Sequence, residues 1–149
     1  MLAAMPEHIV YSEFYKSAHN TMNCEFVNLQ KTHDLELETP INPDAHYIVQ
    51  IRGFELAVES WYKLAKSEGY DGDFDTFRES KSEYFDRFME KWVNNHDIPN
   101  KLVIPYHDLV SSKSASVINA LRFMGFEDIQ PHQLDSLRQW ETGASKKAL

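Results

Sequence analysis

Arg52 and Ser60 are residues of the types that hold phosphate or sulfate. Arg52 directly follows the apolar run 45–51, and Ser60 lies eight residues later in a segment whose apolar residues recur at helical spacing. A guanidinium at the junction of a strand and a helix adds a bidentate fork to the free N–H groups of the helix N-terminus, and Ser60 could donate to the same anion. The alternative is that Arg52 pairs with Glu55 or Glu59 and that Ser60 packs on a helix face.

Two other groups of polar residues could bind a metal. Asp71, Asp73 and Asp75 alternate with other residues as in a calcium loop, but the glycine is misplaced and no closing glutamate follows. A turn followed by a helix cap is therefore the predicted structure. His107 and Asp108 have no further His or Cys at ligand spacing, so we expect no metal site.

The elements that position these residues alternate between strands and helices. Strands are predicted over residues 8–13, 26–33, 45–51 and 101–106, and helices over 54–68, 74–94, 114–124 and 132–140, with Asp73 as one cap and a loop over 34–44. This order predicts an α/β fold with a parallel sheet flanked by helices. Ligands bind at the carboxyl ends of such strands, where His33, Arg52 and Tyr106 stand.

Composition limits the classes of function. The chain has 149 residues, 42% of them hydrophobic, which predicts one domain with a sizeable core. A net charge of −8 without a basic, aromatic-rich block argues against a nucleic-acid partner. Cys24 is the one cysteine, which leaves no internal disulfide. Neither a membrane-spanning run nor a signal peptide is recognisable, so the cytoplasm is the expected compartment.

Three segments, taken in order, resemble sulfotransferases that use 3′-phosphoadenosine 5′-phosphosulfate (PAPS). The run YIVQIRGFELAVESWYKL resembles the family's 3′-phosphate-binding strand and helix, with Gly53 and Phe54 as a mild departure. Lys31-Thr32-His33 stands where the family has Lys-Thr-His, and KLVIPYHDLVSSKSASVINALRFMGF resembles its later strand, turn and helix. The resemblance covers about residues 26–126. It implies a P-loop-type α/β fold.

The same resemblance implies a role for each site residue. His33 would be the general base that takes a proton from a hydroxyl or amine acceptor, and Lys31 would neutralise charge on the sulfuryl group. Arg52 and Ser60 would bind the 3′-phosphate, with Tyr106 also on the cofactor side. PAPS would be the cofactor and 3′,5′-adenosine diphosphate the product, without a metal. The acceptor, a small molecule or a glycan, cannot be read from the sequence.

The family's 5′-phosphosulfate loop has no intact counterpart in this sequence. One explanation is that Met1 lies just downstream of it, so that the chain is a single, N-terminally incomplete sulfotransferase-like domain. The other is that residues 16–21 are a degenerate loop, which the short distance to Lys31 disfavours. The family's C-terminal Arg-Lys-Gly loop is also absent, and Arg138, Lys146 and Lys147 are poor substitutes for it.

These gaps leave a second class of function open. The chain could be a non-catalytic interaction domain that keeps the sulfotransferase scaffold. A nucleotide kinase is disfavoured because no GxxxxGK[ST] motif occurs. An incomplete sheet would expose a strand edge, which a second copy of the chain could cover.

Overall fold

The computed structural model describes residues 9–13 and 27–141. The chain divides into two compact units of nearly equal size. The terminal unit comprises residues 1–40 and 113–149, and the central unit comprises residues 41–112. The candidate degenerate loop over 16–21 and Cys24 lie outside the described residues.

In the terminal unit, the described residues form one parallel strand pair and two helices. Strand β1 (Ile9–Glu13) pairs with β2 (Val27–Lys31), with Ile9 opposite Val27 and Glu13 opposite Lys31. Helices α4 (Lys113–Phe123) and α5 (Pro131–Glu141) contact each other. The predicted strands 8–13 and 26–33 and the two predicted helices are therefore confirmed. However, β2 ends at Lys31, two residues before the predicted end.

The central unit contains the second parallel pair and a helical crossover. Strands β3 (Tyr47–Ile51) and β4 (Lys101–Pro105) pair in register from Tyr47 and Lys101 to Ile51 and Pro105. Helices α1 (Phe54–Ser67) and α2 (Phe74–Phe88) and a π-helical turn (Met89–Asn94) connect them, and α3 (Tyr106–Ser111) follows β4. A mixed α/β fold is thus confirmed. Its described strands form two separate two-stranded sheets, whereas one sheet was predicted.

The core of the central unit holds β3 in place. Val49, Trp92 and Ile98 are buried and in contact, and the Tyr47 and Trp92 ring centroids lie 5.2 Å apart. The partly buried side chains that pack against this cluster are Ile41, Tyr47, Ile51, Phe88, Val93 and Val103. Because Tyr47, Val49 and Ile51 of β3 and Val103 of β4 belong to this core, the strand that precedes Arg52 is packed in place.

Turn and cap residues set the helix lengths. Gly69, which follows α1, has a φ of 96°, a conformation that favours glycine. Asp73 precedes α2, and its Oδ1 accepts a hydrogen bond from the Thr76 backbone N–H at 2.9 Å. The aspartate run therefore forms a turn and a helix N-cap, as predicted. Among the described residues, no helix has the length and apolar character needed to cross a membrane.

Candidate anion-binding site

The candidate site lies where β3 and β4 end. Ile51 and Pro105 are the last residues of their strands and are paired. Arg52 and Tyr106 directly follow them, so both lie at the same end of the sheet. The guanidinium carbon of Arg52 lies 4.5 Å from the centroid of the Tyr106 ring. This cation–π contact stabilises the position of the Arg52 side chain by about 0.5–1 kcal/mol. The structure thus brings together two of the residues predicted to bind the cofactor.

One buried side-chain donor of Arg52 is unsatisfied within the described part of the chain. Its Nε is buried and has no hydrogen-bond partner among the described residues. Leaving a buried donor unpaired costs about 1–3 kcal/mol, so such a donor calls for an explanation, such as a bound ion, an ordered water or a functional role. Arg52 as a whole is partly buried, and its cationic group is held by an aromatic face. This arrangement suits a residue that binds an anion with directed N–H groups.

Gly53 leaves the start of α1 open. It is the N-cap residue, with φ −55° and ψ 142°, and it has no side chain to bond the first-turn N–H groups. A Cβ placed on Gly53 would meet no atom within 4 Å. Free N–H groups and the helix dipole favour negative charge at such a terminus. The helix start and the guanidinium of Arg52 therefore favour the same kind of ligand.

Ser60 lies on α1 and is exposed. It stands about 10 Å further along the helix axis than Gly53, at 1.5 Å per residue. A hydroxyl at that distance can contact a different part of a nucleotide-sized ligand from the part at Gly53. The predicted helical position of Ser60 is confirmed, and its predicted role in phosphate binding stays a prediction.

The acidic residue closest after Arg52 in the sequence is bonded elsewhere. Glu55 accepts two hydrogen bonds from Nε of Arg78, at 3.0 and 3.1 Å, and a third from Nη2. The Arg78 guanidinium also lies over the Phe54 ring, 5.4 Å from its centroid. This ion pair joins the first turn of α1 to α2. The alternative in which Glu55 pairs with Arg52 is therefore not what the structure shows.

Hydrogen bonds from Arg78, more than its charge, lower the pKa of Glu55 below the usual 4.5. Glu55 consequently stays ionised under neutral conditions, and its negative charge is matched by Arg78. No local sequence signal indicates this pairing, because Arg78 stands 23 residues away on a separate helix.

Lys31 and His33 belong to the terminal unit. Lys31 is the last residue of β2, and His33 follows it in the loop; both are exposed. Because β2 ends at Lys31, His33 lies in a loop and not on the strand predicted over residues 26–33. The chain turns sharply at Asp34, which has a φ of 44° and whose Oδ1 accepts the Thr39 N–H at 2.8 Å.

The described residues contain no cluster of three or more His, Cys, Asp or Glu side chains that could hold a metal ion. The exposed His107 and Asp108 bond each other, with Nε2 and Oδ1 at 2.9 Å. No protein family, no curated protein and no solved structure matches this chain.

Proposed function

We propose that the chain is a sulfotransferase-like protein that binds PAPS through its 3′-phosphate at Arg52. One observation carries this proposal: Arg52 follows a buried strand, lies over Tyr106 and retains a buried Nε without a partner among the described residues. The ordered resemblance of three sequence segments supplies the identity of the nucleotide. The finer fold assignment, a sulfotransferase or P-loop-like sheet, is part of the same proposal.

The residues of the central unit fit a phosphate. A 3′-phosphate offers several oxygen acceptors with negative charge, which match a guanidinium fork and the N–H groups that follow Gly53. The contact with Tyr106 restricts the Arg52 side chain, and less side-chain entropy is then lost when the anion binds. Ser60 is proposed as a further donor along α1.

The sequence resemblance alone assigns the chemistry to Lys31 and His33. PAPS, when bound, supplies the sulfuryl group that is transferred. A ring nitrogen of His33 accepts the proton of the hydroxyl or amine acceptor while the acceptor forms its bond to sulfur. The Lys31 ammonium neutralises negative charge on the sulfuryl oxygens. The bond from sulfur to the 5′-phosphate breaks, and 3′,5′-adenosine diphosphate is released.

Calorimetry with 3′,5′-adenosine diphosphate and with adenosine 5′-monophosphate tests the nucleotide site. The wild-type chain should prefer the diphosphate because only that ligand has the 3′-phosphate. Arg52→Ala should weaken diphosphate binding about 10- to 100-fold, as expected for a lost charge-assisted bidentate contact, and should leave the monophosphate nearly unaffected. Arg87→Ala, which removes an exposed arginine of α2, is the matched control. Failure of the wild-type chain to bind the diphosphate would reject the proposal.

A non-catalytic interaction domain is the second candidate. It is favoured by large apolar side chains on the surface of α1, where Leu56 is 54% and Leu64 is 53% exposed. Both candidates predict a folded central unit, but only the enzyme transfers sulfate. Incubation with ³⁵S-labelled PAPS and a mixture of phenols, amines and sugars distinguishes them. A labelled product that His33→Ala abolishes would favour the enzyme, and nucleotide binding without any product would favour the interaction domain.

A further inference from the structure

Glu55 is the side chain best suited to compete with an external anion for Arg52. It is the first acidic residue after Arg52 in the chain, and it lies in the first turn of α1. A carboxylate in a first turn is attracted to the helix N-terminus, and it is also a natural partner for a guanidinium. An internal carboxylate that occupied this position would make the site neutral and reduce its affinity for phosphate.

The structure shows the Glu55 carboxylate turned to a different partner. Both of its oxygens accept hydrogen bonds from Arg78 of α2. Arg78 is itself held by the Phe54 ring beneath its guanidinium, and the Phe54 ring packs on that of Phe85 with centroids 5.1 Å apart. Two aromatic contacts and a bidentate ion pair therefore fix the direction of the Glu55 side chain.

We propose that Arg78 is a positioning residue of the anion site, which holds the Glu55 carboxylate on α2 and so keeps Arg52 available to an external phosphate. The proposal rests on the proposed function for the identity of the phosphate ligand. Arg78 itself need not touch that ligand. Its effect is to remove an internal competitor, and this distinguishes it from a residue that merely adds positive charge.

Binding of 3′,5′-adenosine diphosphate to variants of the full chain tests the competition. Arg78→Met should weaken binding about fivefold, since the freed carboxylate gains an exposed ion pair of ordinary strength with Arg52. The double variant Arg78→Met with Glu55→Gln should restore wild-type affinity. Arg78→Met with Glu59→Gln has the same net charge but keeps the carboxylate at position 55, and it should stay weak. Arg87→Met should have no effect.

Two results would overturn the proposal: unchanged affinity in Arg78→Met, or equal rescue by Glu55→Gln and Glu59→Gln. Equal rescue would mean that net charge alone accounts for the loss. Arg78→Gln provides a second variant if Arg78→Met does not fold, which circular dichroism would show.

A titration without any ligand separates this proposal from the proposed function. The titration of the Glu55 carboxyl carbon can be followed by NMR in four proteins: the wild type, Arg52→Met, Arg78→Met, and the combination of Arg52→Met with Arg78→Met. In the wild-type background, Arg52→Met should not change the Glu55 titration midpoint. In the Arg78→Met background, Arg52→Met should raise the midpoint, because Glu55 then loses its pairing with Arg52. Absence of that coupling would overturn the positioning role even if the nucleotide binds. A wild-type chain that shows the coupling but binds no nucleotide would refute only the proposed function.

Discussion

The guanidinium of Arg52 lies over the ring of Tyr106 because the strands before them end in register. Ile51 is paired with Pro105, and Arg52 and Tyr106 are the residues that follow them at the same end of the sheet. The two residues are distant in sequence, and the parallel pairing of β3 with β4 makes them neighbours. This geometry, in which an aromatic face holds an arginine beside a helix start, leads to the predictions below.

Substitution of Tyr106 tests whether its ring orients Arg52. Tyr106→Phe keeps the aromatic face, and we expect nucleotide affinity close to that of the wild type. Tyr106→Leu removes the cation–π contact and should weaken 3′,5′-adenosine diphosphate binding about three- to tenfold, in line with the strength of such contacts. Calorimetry on both variants measures this difference. Equal affinities for the two variants would show that the ring has no orienting role.

Substitution of Gly53 tests the open start of α1. The extended backbone at Gly53 and the free space around it accommodate a side chain that caps the helix. Gly53→Ser and Gly53→Asp should each stabilise the folded chain by a few tenths of a kcal/mol, about 0.3 kcal/mol. Both side chains accept first-turn N–H groups that the phosphate would use, but only the aspartate adds negative charge. Gly53→Asp should therefore weaken phosphate binding about tenfold more than Gly53→Ser. Similar losses in both variants would indicate competition for the N–H groups or a steric effect instead of an electrostatic one.

Substitution of His33 tests whether this residue acts in sulfuryl transfer and not in nucleotide binding. His33→Ala should lower sulfuryl transfer about 100-fold or more, the contribution typical of a general base, while nucleotide affinity stays unchanged. His96→Ala removes an exposed histidine of the central unit and is the control. Labelled PAPS measures transfer, and calorimetry measures binding. Unchanged transfer in His33→Ala would exclude this histidine as the base.

The loss of folding stability at acidic pH should depend on Glu55 and Asp73. Hydrogen bonds from Arg78 lower the pKa of Glu55 below 4.5, and the backbone N–H of Thr76 is the main cause of the lowered pKa of Asp73, usually 3.8. The folded chain therefore binds fewer protons than the unfolded chain in this range. The stabilisation is present above the unfolded pKa values and is lost as the pH falls through the folded ones.

Urea unfolding at pH 7 and pH 3 checks this dependence. The wild-type chain should lose stability between these two pH values, and Glu55→Gln and Asp73→Asn should each reduce that loss. Glu83→Gln, whose ion pair with Arg87 spans 3.9 Å on the helix surface, should reduce it less. A wild-type difference that neither Glu55→Gln nor Asp73→Asn reduces would contradict the assignment.

Local sequence signals predicted most helix and strand positions. Tyr47–Ile51 is β-branched and aromatic, Gly69 supplies the conformation that ends α1, and Asp73 caps α2 through its own side chain. Each of these depends on interactions within a few residues of the chain. The short helix α3 was not predicted as a helix, because its six residues carry little periodic signal.

Interactions between distant segments could not be predicted in the same way. The Arg52–Tyr106 contact was expected only in outline, from the rule that ligands bind at strand ends. The Glu55–Arg78 pair requires knowing how α1 packs on α2, and Arg52 was the more obvious partner in sequence. In the described strand pair Lys31 lies opposite Glu13, a register between distant segments that no local signal predicts. The roles of Lys31, His33 and Ser60 remain predictions.

The π-helical turn at Met89–Asn94 determines the direction in which its side chains point around the helix axis before β4 begins. A π-helical turn accommodates one more residue than an α-helical turn, and each residue of a helix turns the next side chain by about 100°. Trp92 reaches the core at its present phase and contacts Tyr47. Deletion of one residue within this turn would restore regular winding and move the indole from the core toward solvent. A chain that lacks the extra residue should therefore need its large aromatic residue at a position neighbouring that of Trp92 for the ring to reach the core.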